Sequence, residues 1–563
     1  MLRSTGLATA LFVGLASCGS SAPTAVVKNG TYMGTYSPEY DQDFFLGMPY
    51  AQPPVGSLRF RDPIGLNTSW NQTREATQYS PECYGYGSDQ WNYPVSEDCL
   101  YINVVRPAGC YEDENLPVAF WIHGGGFYQG GGVDQRYNLS FTVENSVKIG
   151  KPIIAVSINY RLSAWGFLSG SEEVRDAGSL NLGLRDQRMA LHWAQENIEA
   201  FGGDPERVTI YGESAGGASV GFQLTAYGGR DDKLFRAAIL QSGNPIYYRR
   251  LRDPATGYAE QYEELTRRTH CSNATSPLEC LRQLPAEQLN TAINMTSPVL
   301  NLTVWNPCLD GNFIEKPTSL QLAAGEFVHV PIISGATSDE GTAFSPRPVN
   351  TTEDLRTFIM AEGVPANLTS ELLEAYPNDL SVNVVASLGD ARPGPEFGPQ
   401  FRRSASYFGD SVFIANRRLT CQTWAAANLS AYCYRFNAIP TYNLSAAFGV
   451  THFQEISYVF LNLQGVGYEP AAMRPFTNKS ESHRDLARFM NSNWVSFIHD
   501  LDPNSWRKTS VYNVSEAWWS QYENGNPMDF VFDANVTSYM EPDTYRKEGM
   551  ALINAHNYDV YGR

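Results

Sequence analysis

The segment Val208-Thr-Ile-Tyr-Gly212-Glu213-Ser214-Ala215-Gly216-Gly217 is the most informative part of the chain, because it joins an apolar strand to a serine-bearing turn. The run 219–224 that follows is predicted to be helical. Gly-x-Ser-x-Gly between a strand and a helix needs a turn so tight that only small residues fit beside the serine, whose side chain then projects above the sheet. The segment therefore predicts Ser214 as a nucleophile, with the backbone N–H of Ala215 directed towards the reacting centre.

A second glycine-rich segment supplies the hydrogen-bond donors that such a nucleophile requires. The apolar run Leu116–Ile122 leads straight into His123-Gly124-Gly125-Gly126. Glycines let backbone amides face a substrate oxygen, so Gly125, Gly126 and Ala215 are predicted to form an oxyanion hole. A phosphate-binding loop is disfavoured, because no Gly-Lys-Ser/Thr follows and the net charge of −18 repels anions.

Strand-like and helical segments alternate along the 563 residues, which predicts a mostly parallel α/β sheet with helices on both faces. Residues 249–325 are rich in Pro, Asn and Thr, and are expected to be a helical insertion over the loop edge of the sheet. No linker divides the chain, so residues 23–563 are expected to form one catalytic domain. The apolar runs are 116–122, 152–158, 208–211, 237–241, 330–334 and 431–436, and the helical ones are 184–198 and 482–499.

The N-terminus indicates secretion. Residues 1–22 combine a basic start, a short apolar run and small residues, as a signal peptide does. A bacterial lipid-attachment box at Cys18 is the less favoured alternative. N-linked glycans are expected because the chain is rich in Asn-x-Ser/Thr sequons, at Asn29, Asn67, Asn71, Asn138, Asn273, Asn294, Asn301, Asn350, Asn367, Asn428, Asn443, Asn478, Asn513 and Asn535.

The chain contains 59 acidic and 41 basic residues, and this excess of negative charge disfavours nucleic acid as a partner. The C-terminal segment contains no apolar tail, so no stable membrane anchor is expected. The cysteines lack metal-type spacing, and an oxidising compartment favours disulfides. Local spacing pairs Cys83 with Cys99, Cys271 with Cys280 and, with less weight, Cys421 with Cys433, and it leaves Cys110 and Cys308 undecided.

Most of the chain, from about Val26 to about Gln521, resembles the type-B carboxylesterase/lipase family, which includes cholinesterases and secreted fungal lipases. The resemblance implies an α/β-hydrolase fold and carboxylic ester hydrolysis without a metal or cofactor. The matching segments stand in the family's order and are Phe45-Leu-Gly-Met-Pro-Tyr-Ala-Gln-Pro-Pro-Val-Gly, Leu58-Arg-Phe, Ser96-Glu-Asp-Cys-Leu, Trp121-Ile-His-Gly-Gly-Gly-Phe, Asn159-Tyr-Arg, Asn197-Ile-Glu-Ala-Phe-Gly-Gly-Asp-Pro and Gly212-Glu-Ser-Ala-Gly-Gly.

The resemblance also orders a catalytic triad. The run 330–341 contains two candidate acids, Asp339 and Glu340, between which chemistry alone does not choose. The family places the acid directly before a glycine, which implies Glu340, and its histidine loop matches Gly449-Val-Thr-His452. The family pattern also implies ion pairs between Arg59 and Glu97 and between Arg161 and Asp186. His483 and His499 fall on the helical run and are interpreted as surface or helix-end residues.

We therefore expect a secreted serine esterase that cleaves soluble short-to-medium esters through an acyl-enzyme. The candidates for the substrate rim are Trp91, Glu213 and Phe344. Trp91 falls in the loop where cholinesterases carry a choline-contacting tryptophan, and Glu213 precedes the nucleophile as it does there. The loop closed by Cys83 and Cys99 is short and polar, which disfavours a lipid-binding lid. A lipase or sterol esterase, a cholinesterase-like enzyme and a non-catalytic binding relative remain the alternatives.

Overall fold

The computed structural model describes residues 22–109, 114–295, 300–441, 445–508 and 516–563. Residues 1–21 of the predicted signal peptide, including Cys18, lie outside these ranges. So do Cys110 and the sequon residues Asn443 and Asn513.

The elements follow the alternation expected from the sequence. The strands are β1 (Thr24–Val27), β2 (Gly30–Met33), β3 (Thr35–Ser37), β4 (Gln42–Pro49), β5 (Arg74–Glu75), β6 (Glu82–Cys83), β7 (Val95–Ser96), β8 (Tyr101–Pro107), β9 (Leu116–Ile122), β10 (Ile154–Ile158), β11 (Gly203–Glu213), β12 (Ala237–Gln241), β13 (Ile332–Thr337), β14 (Ala431–Phe436), β15 (Met528–Phe532) and β16 (Tyr539–Pro542).

The helices lie between these strands. They are α1 (Leu139–Lys148), α2 (Ser163–Phe167), α3 (Glu172–Asp176), α4 (Leu182–Asn197), α5 (Ala215–Gly229), α6 (Ala259–Arg268), α7 (Pro277–Gln283), α8 (Ala286–Asn294), α9 (Thr318–Ala324), α10 (Thr352–Ala361), α11 (Ala366–Ala375), α12 (Phe401–Gly409), α13 (Ala415–Ala426), α14 (Ile456–Val459), α15 (Glu481–Asp500) and α16 (Lys547–Ala555).

An eleven-stranded sheet forms the centre, in the order β16-β15-β14-β13-β12-β11-β9-β10-β8-β4-β3. The strands from β10 to β15 in this order pair in parallel, whereas β8, β4, β3 and β16 add antiparallel edges. This arrangement is the predicted mostly parallel α/β-hydrolase sheet. The carboxyl ends of the parallel strands therefore share one edge, where ligands of such sheets bind.

Two cores cover the sheet because side chains alternate along each strand. In β9 every residue is buried; Val118, Phe120 and Ile122 belong to the first core, and Ala119 and Trp121 to the second core. A strand that is buried on both faces has a continuous apolar sequence, and such a run is easily identified as a strand.

A buried ion network joins α13 to β15 and to the residue that follows β16. The Arg417 guanidinium donates to Asp529 at 2.5 Å and to both oxygens of Asp543 at 3.0 Å. Arg418 also donates to Asp543, at 2.6 Å. Burial alone would raise the pKa of Asp543, but the two guanidinium groups outweigh it and hold that pKa well below its ordinary value.

Candidate active site

Ser214 lies in a strained turn between β11 and α5. Its φ of 56° and ψ of −121° are unfavourable for a residue with a side chain. The two flanking glycines explain how the turn closes. A Cβ on Gly216 would lie 2.1 Å from the carbonyl oxygen of Ile122, and one on Gly212 would lie 2.5 Å from the Gly216 carbonyl carbon. Both glycines are therefore sterically required, as the tight turn predicts.

The predicted oxyanion donors lie beside this turn. A Cβ on Gly124 would lie 3.2 Å from Ser214 Cβ, so the glycine loop runs directly past the serine. Gly125 and Gly126 have positive φ values of 91° and 63°. Among the backbone hydrogen bonds of the described residues, none uses their N–H groups, and Ala215 is the first residue of α5. Free amides and a helix N-terminus together favour an oxygen anion.

Glu340 and His452 meet at the carboxyl end of β13. Glu340 Oε2 lies 2.7 Å from His452 Nδ1. The other carboxylate oxygen accepts hydrogen bonds from Ser242 Oγ at 2.5 Å and from the Thr337 backbone N–H at 2.8 Å. Glu340 is fully buried, so these bonds fix its orientation.

Asp339, the other candidate acid, has a different partner. Its Oδ2 accepts from the Val450 N–H at 2.7 Å, and its own N–H donates to the Val450 carbonyl at 2.9 Å. Asp339 therefore holds the loop that carries His452, and it does not contact the imidazole. Burial raises the pKa of Asp339 to about 7.

A second buried carboxylate approaches the imidazole. Glu213 Oε1 lies 3.2 Å from His452 Nε2, and the Glu213 residue is 1% exposed. Glu213 is therefore an interior residue and not part of an open rim. Among the described side chains, no hydrogen bond is found between Ser214 Oγ and His452. The position of Ser214 beside the imidazole follows instead from two neighbours: Glu213, which contacts His452, and Gly124, which lies next to Ser214 Cβ.

These carboxylates decide how His452 titrates. Burial alone would lower the pKa of His452, but the charges of Glu213 and Glu340 outweigh it and raise that pKa to about 9. Burial and the neighbouring charges of Glu455 and Glu340 raise the pKa of Glu213 as well, while protonated His452 opposes them. The charge on Glu213 is thus linked to protonation of His452.

The remaining rim candidates lie in different places. The Phe344 ring packs edge-on against His452, with centroids 5.0 Å apart, and it is 42% exposed. Trp91 is 82% exposed on the Cys83–Cys99 loop. With Met295 it lines a groove of about 500 Å³.

Three further residues support the site but were not anticipated. Phe413 stacks on His452 with centroids 4.8 Å apart, and it belongs to a π-helical turn over Asp410–Ile414. Ser242 holds Glu340, as described above. Gln90 brackets the backbone of Gly130, donating to its carbonyl at 2.9 Å and accepting from its N–H at 3.1 Å. The Cys83–Cys99 loop is thereby fastened to the oxyanion loop. The π-helical turn has no local sequence signal, and single polar residues such as Gln90 have none either.

The predicted cross-links are present. Disulfides join Cys83 to Cys99, Cys271 to Cys280 and Cys421 to Cys433. Cys308 is a buried free thiol. The expected ion pairs also form, between Arg59 and Glu97 at 2.5 Å and between Arg161 and Asp186 at 2.7 Å.

Of the two interpretations of His483, as a surface or a helix-end residue, the surface one is wrong, although the residue does lie in the first turn of α15. It is 6% exposed, and its Nδ1 lies 2.6 Å from Tyr458 Oη. Helical periodicity places it on α15, but contact with α14 buries it. Its partner is a tyrosine of the second core, so it has no part in the Ser214 site.

Known proteins resemble this chain along its length. Residues 21–547 match the model of the Carboxylesterase family. Secreted lipase 1 of Botryotinia fuckeliana is 34% identical, with 85% of this chain and 84% of that protein aligned. Lipase 2 of Diutina rugosa is 36% identical over 95% of this chain and 96% of its own.

Solved structures agree with this likeness. The crystal structure of Aspergillus niger EstA superposes with a TM-score of 0.81 at 28% identity, covering 96% of this chain and 99% of EstA. The solved structure of PNB esterase superposes with a TM-score of 0.73 at 26% identity, covering 94% of this chain and 100% of PNB esterase. The chain therefore belongs to the Carboxylesterase family and is a carboxylic ester hydrolase.

Proposed function

We propose that the chain hydrolyses soluble short-to-medium esters through Ser214, His452 and Glu340. The observation that carries this proposal is the 2.7 Å contact between Glu340 and His452, beside the strained serine turn. Glu340 fixes the imidazole tautomer and stabilises the imidazolium, while His452 acts as the base for Ser214. The serine itself is too weak a nucleophile without such a base.

The reaction takes place in two balanced halves. His452 takes the proton of Ser214 Oγ as this oxygen bonds to the ester carbonyl carbon, and the backbone N–H groups of Gly125, Gly126 and Ala215 donate hydrogen bonds to the resulting oxyanion. The ester C–O bond then breaks, and the alcohol leaves with the proton from His452. Water repeats these steps on the acyl-enzyme, which releases the carboxylic acid and restores Ser214.

Secretion and chain organisation form part of the same proposal. Residues 1–22 act as a signal peptide, and residues 23–563 form one catalytic domain with an insertion around 249–325. This insertion contains α6, α7, α8 and α9, and its Leu281 and Leu284 carbonyls accept from Arg59. None of the sequon asparagines in the described ranges is buried, which suits N-glycans. No helix within the same ranges is long and apolar enough to span a bilayer.

A lipase is the second candidate. The relatives named above are called lipases, and Trp91 and Met295 expose 82% and 52% of their surface beside the groove that they line. Apolar side chains of this kind can contact a lipid surface. The two candidates differ in how the rate responds to an ester–water interface.

We expect protein collected from the medium of a eukaryotic host to lose mass on glycosidase treatment and to hydrolyse p-nitrophenyl butyrate with simple saturation. A fluorophosphonate should label Ser214 in a 1:1 ratio, read by peptide mass spectrometry, because the oxyanion hole and His452 activate that hydroxyl.

A Ser214→Ala variant is the control for labelling. Folded wild-type protein that stays unlabelled would contradict the serine mechanism. A jump in rate at the solubility limit of tributyrin would instead favour the lipase candidate.

The pH profile tests the role of Glu213. Because neutral His452 is the base, kcat/KM should rise with pH through an apparent pKa above 6.5. Glu213→Gln removes a carboxylate that raises this pKa, so the acid limb should move to lower pH by about one unit. The exposed Glu206→Gln variant should keep the wild-type limb. An unmoved limb in Glu213→Gln would mean that Glu213 is already neutral beside His452.

A further inference from the structure

A cavity of about 900 Å³ lies beside the catalytic side chains. Phe344 and Tyr248 form part of its wall. The Phe344 ring contacts His452 as described above, and the Tyr248 ring lies 5.5 Å from Phe413, which stacks on the same imidazole. The cavity therefore begins one aromatic side chain away from His452.

The cavity wall is basic although the protein is acidic. Four arginines line it, together with one carboxylate, Glu362; the arginines are Arg249, Arg250, Arg252 and Arg563. The net charge of the chain is −18, so carboxylates are abundant and most arginines of this protein could pair with one. A local excess of positive charge in a cleft concentrates anions there.

The hydrogen bonds of these arginines end on neutral oxygens. Arg250 donates to the Val560 carbonyl, and Arg252 donates to the Gly257 carbonyl at 2.8 Å. Arg563 Nε donates to Asn557 Oδ1 at 3.0 Å. Among the described residues, none of the four forms an ion pair with an aspartate or glutamate. The charges of Arg249, Arg250 and Arg252, which are all exposed, therefore remain available to a ligand.

Arg563 differs from the other three arginines because it is buried. This residue is 2% exposed, yet its Nη2 has no hydrogen-bond partner among the described residues. An unsatisfied buried donor is costly, and a charged one more so.

Aromatic rings hold three of the guanidinium groups in place. Arg252 lies over Tyr258 at 4.7 Å, Arg563 over Tyr561 at 4.5 Å, and Arg249 over Tyr248 at 6.0 Å. Stacking on a ring face fixes the plane of a guanidinium while its N–H edge stays free. Such edges match the two oxygens of a carboxylate.

We propose that this cavity binds a carboxylate at the far end of the substrate, so that the preferred substrates are esters whose acid or alcohol part is anionic. This inference rests on the proposed function, since it places the ester carbonyl at Ser214. Hydrolysis adds one water across the ester bond and leaves the distal carboxylate unchanged. The arginines act as specificity-determining residues.

Matched esters test this inference. The p-nitrophenyl monoesters of linear dicarboxylic acids are compared with their ω-carboxamides over several chain lengths. At the best length, we expect kcat/KM to be at least about 10-fold higher for the carboxylate, mainly through KM. This preference should shrink at 0.5 M NaCl, because part of the cavity is open to solvent.

Variants then assign the effect to the cavity. Arg249→Gln and Arg252→Gln should each reduce the carboxylate-to-carboxamide ratio by about 5- to 20-fold, and Arg249→Lys should retain part of it. Both arginines are exposed, so folding should persist. The exposed Arg74→Gln variant, on β5 in a separate small sheet, should keep the wild-type ratio.

Two outcomes are adverse and distinguishable. A wild-type ratio near one at every chain length, or a ratio that neither arginine variant changes, would overturn the anion site while carboxamide hydrolysis left the esterase proposal intact. Hydrolysis of none of these esters, together with absent fluorophosphonate labelling, would overturn the proposed function and this inference with it.

Discussion

Replacing His452 with alanine is expected to lower kcat by at least about 10⁴-fold, because the base that activates Ser214 is lost. Glu340→Gln should cost about as much, since the amide cannot stabilise the imidazolium and can favour the wrong tautomer. Ser214, His452 and Glu340 act as one unit, so double variants should be little worse than single ones. The steady-state kcat for hydrolysis of p-nitrophenyl butyrate, compared with that of the wild type, measures the loss of activity.

A second buried histidine provides the matched control. His483→Ala removes an imidazole of the second core, so kcat for the folded fraction should stay near the wild-type value. Circular dichroism establishes that both variants are folded. Activity retained in His452→Ala and lost in His483→Ala would show that the base was assigned to the wrong residue.

Replacing Arg417 with methionine is expected to reduce the free energy of unfolding by about 3–5 kcal/mol. Asp529 and Asp543 are both fully buried against this guanidinium, with side-chain exposures of 0%. Without it, a buried negative charge loses its main partner and must be protonated or hydrated. The urea midpoint, followed by tryptophan fluorescence, reports the change.

A surface ion pair provides the comparison for Arg417. Arg488 contacts Glu481 and Asp485 on α15, and its side chain is 30% exposed. Arg488→Met should change stability by less than about 1 kcal/mol, because water and salt screen that pair. Equal shifts in the two variants would contradict the role given to the buried network.

The fold was largely predictable because its central strands are buried on both faces. The run Leu116–Ile122 coincides with β9, and the run 237–241 coincides with β12. Short continuous apolar runs are typical of parallel strands that are covered on both faces. The edge strands β3 and β16 are short and partly exposed, so their sequences carry no comparable signal.

The site was predictable only where backbone geometry constrains residue type. The turn at Ser214 demands glycines, and these are visible in the sequence. Neither carboxylate at 339–340 has such a local mark; the family resemblance pointed to Glu340, and the structure brings Glu340 to His452 and Asp339 to Val450. Ser242 and Phe413 reach the site across long stretches of chain, which no local pattern reports.

The separation of these parts along the chain also affects how the protein matures. Ser214 and His452 are 452 − 214 = 238 positions apart, and β14, next to the Glu340-bearing end of β13, pairs with β15 at Met528–Phe532. Parallel pairings over such distances form late in folding. A ribosome-bound chain that has not yet produced β15 should therefore lack hydrolytic activity. The time at which ester hydrolysis appears during synthesis would then report when the sheet is completed.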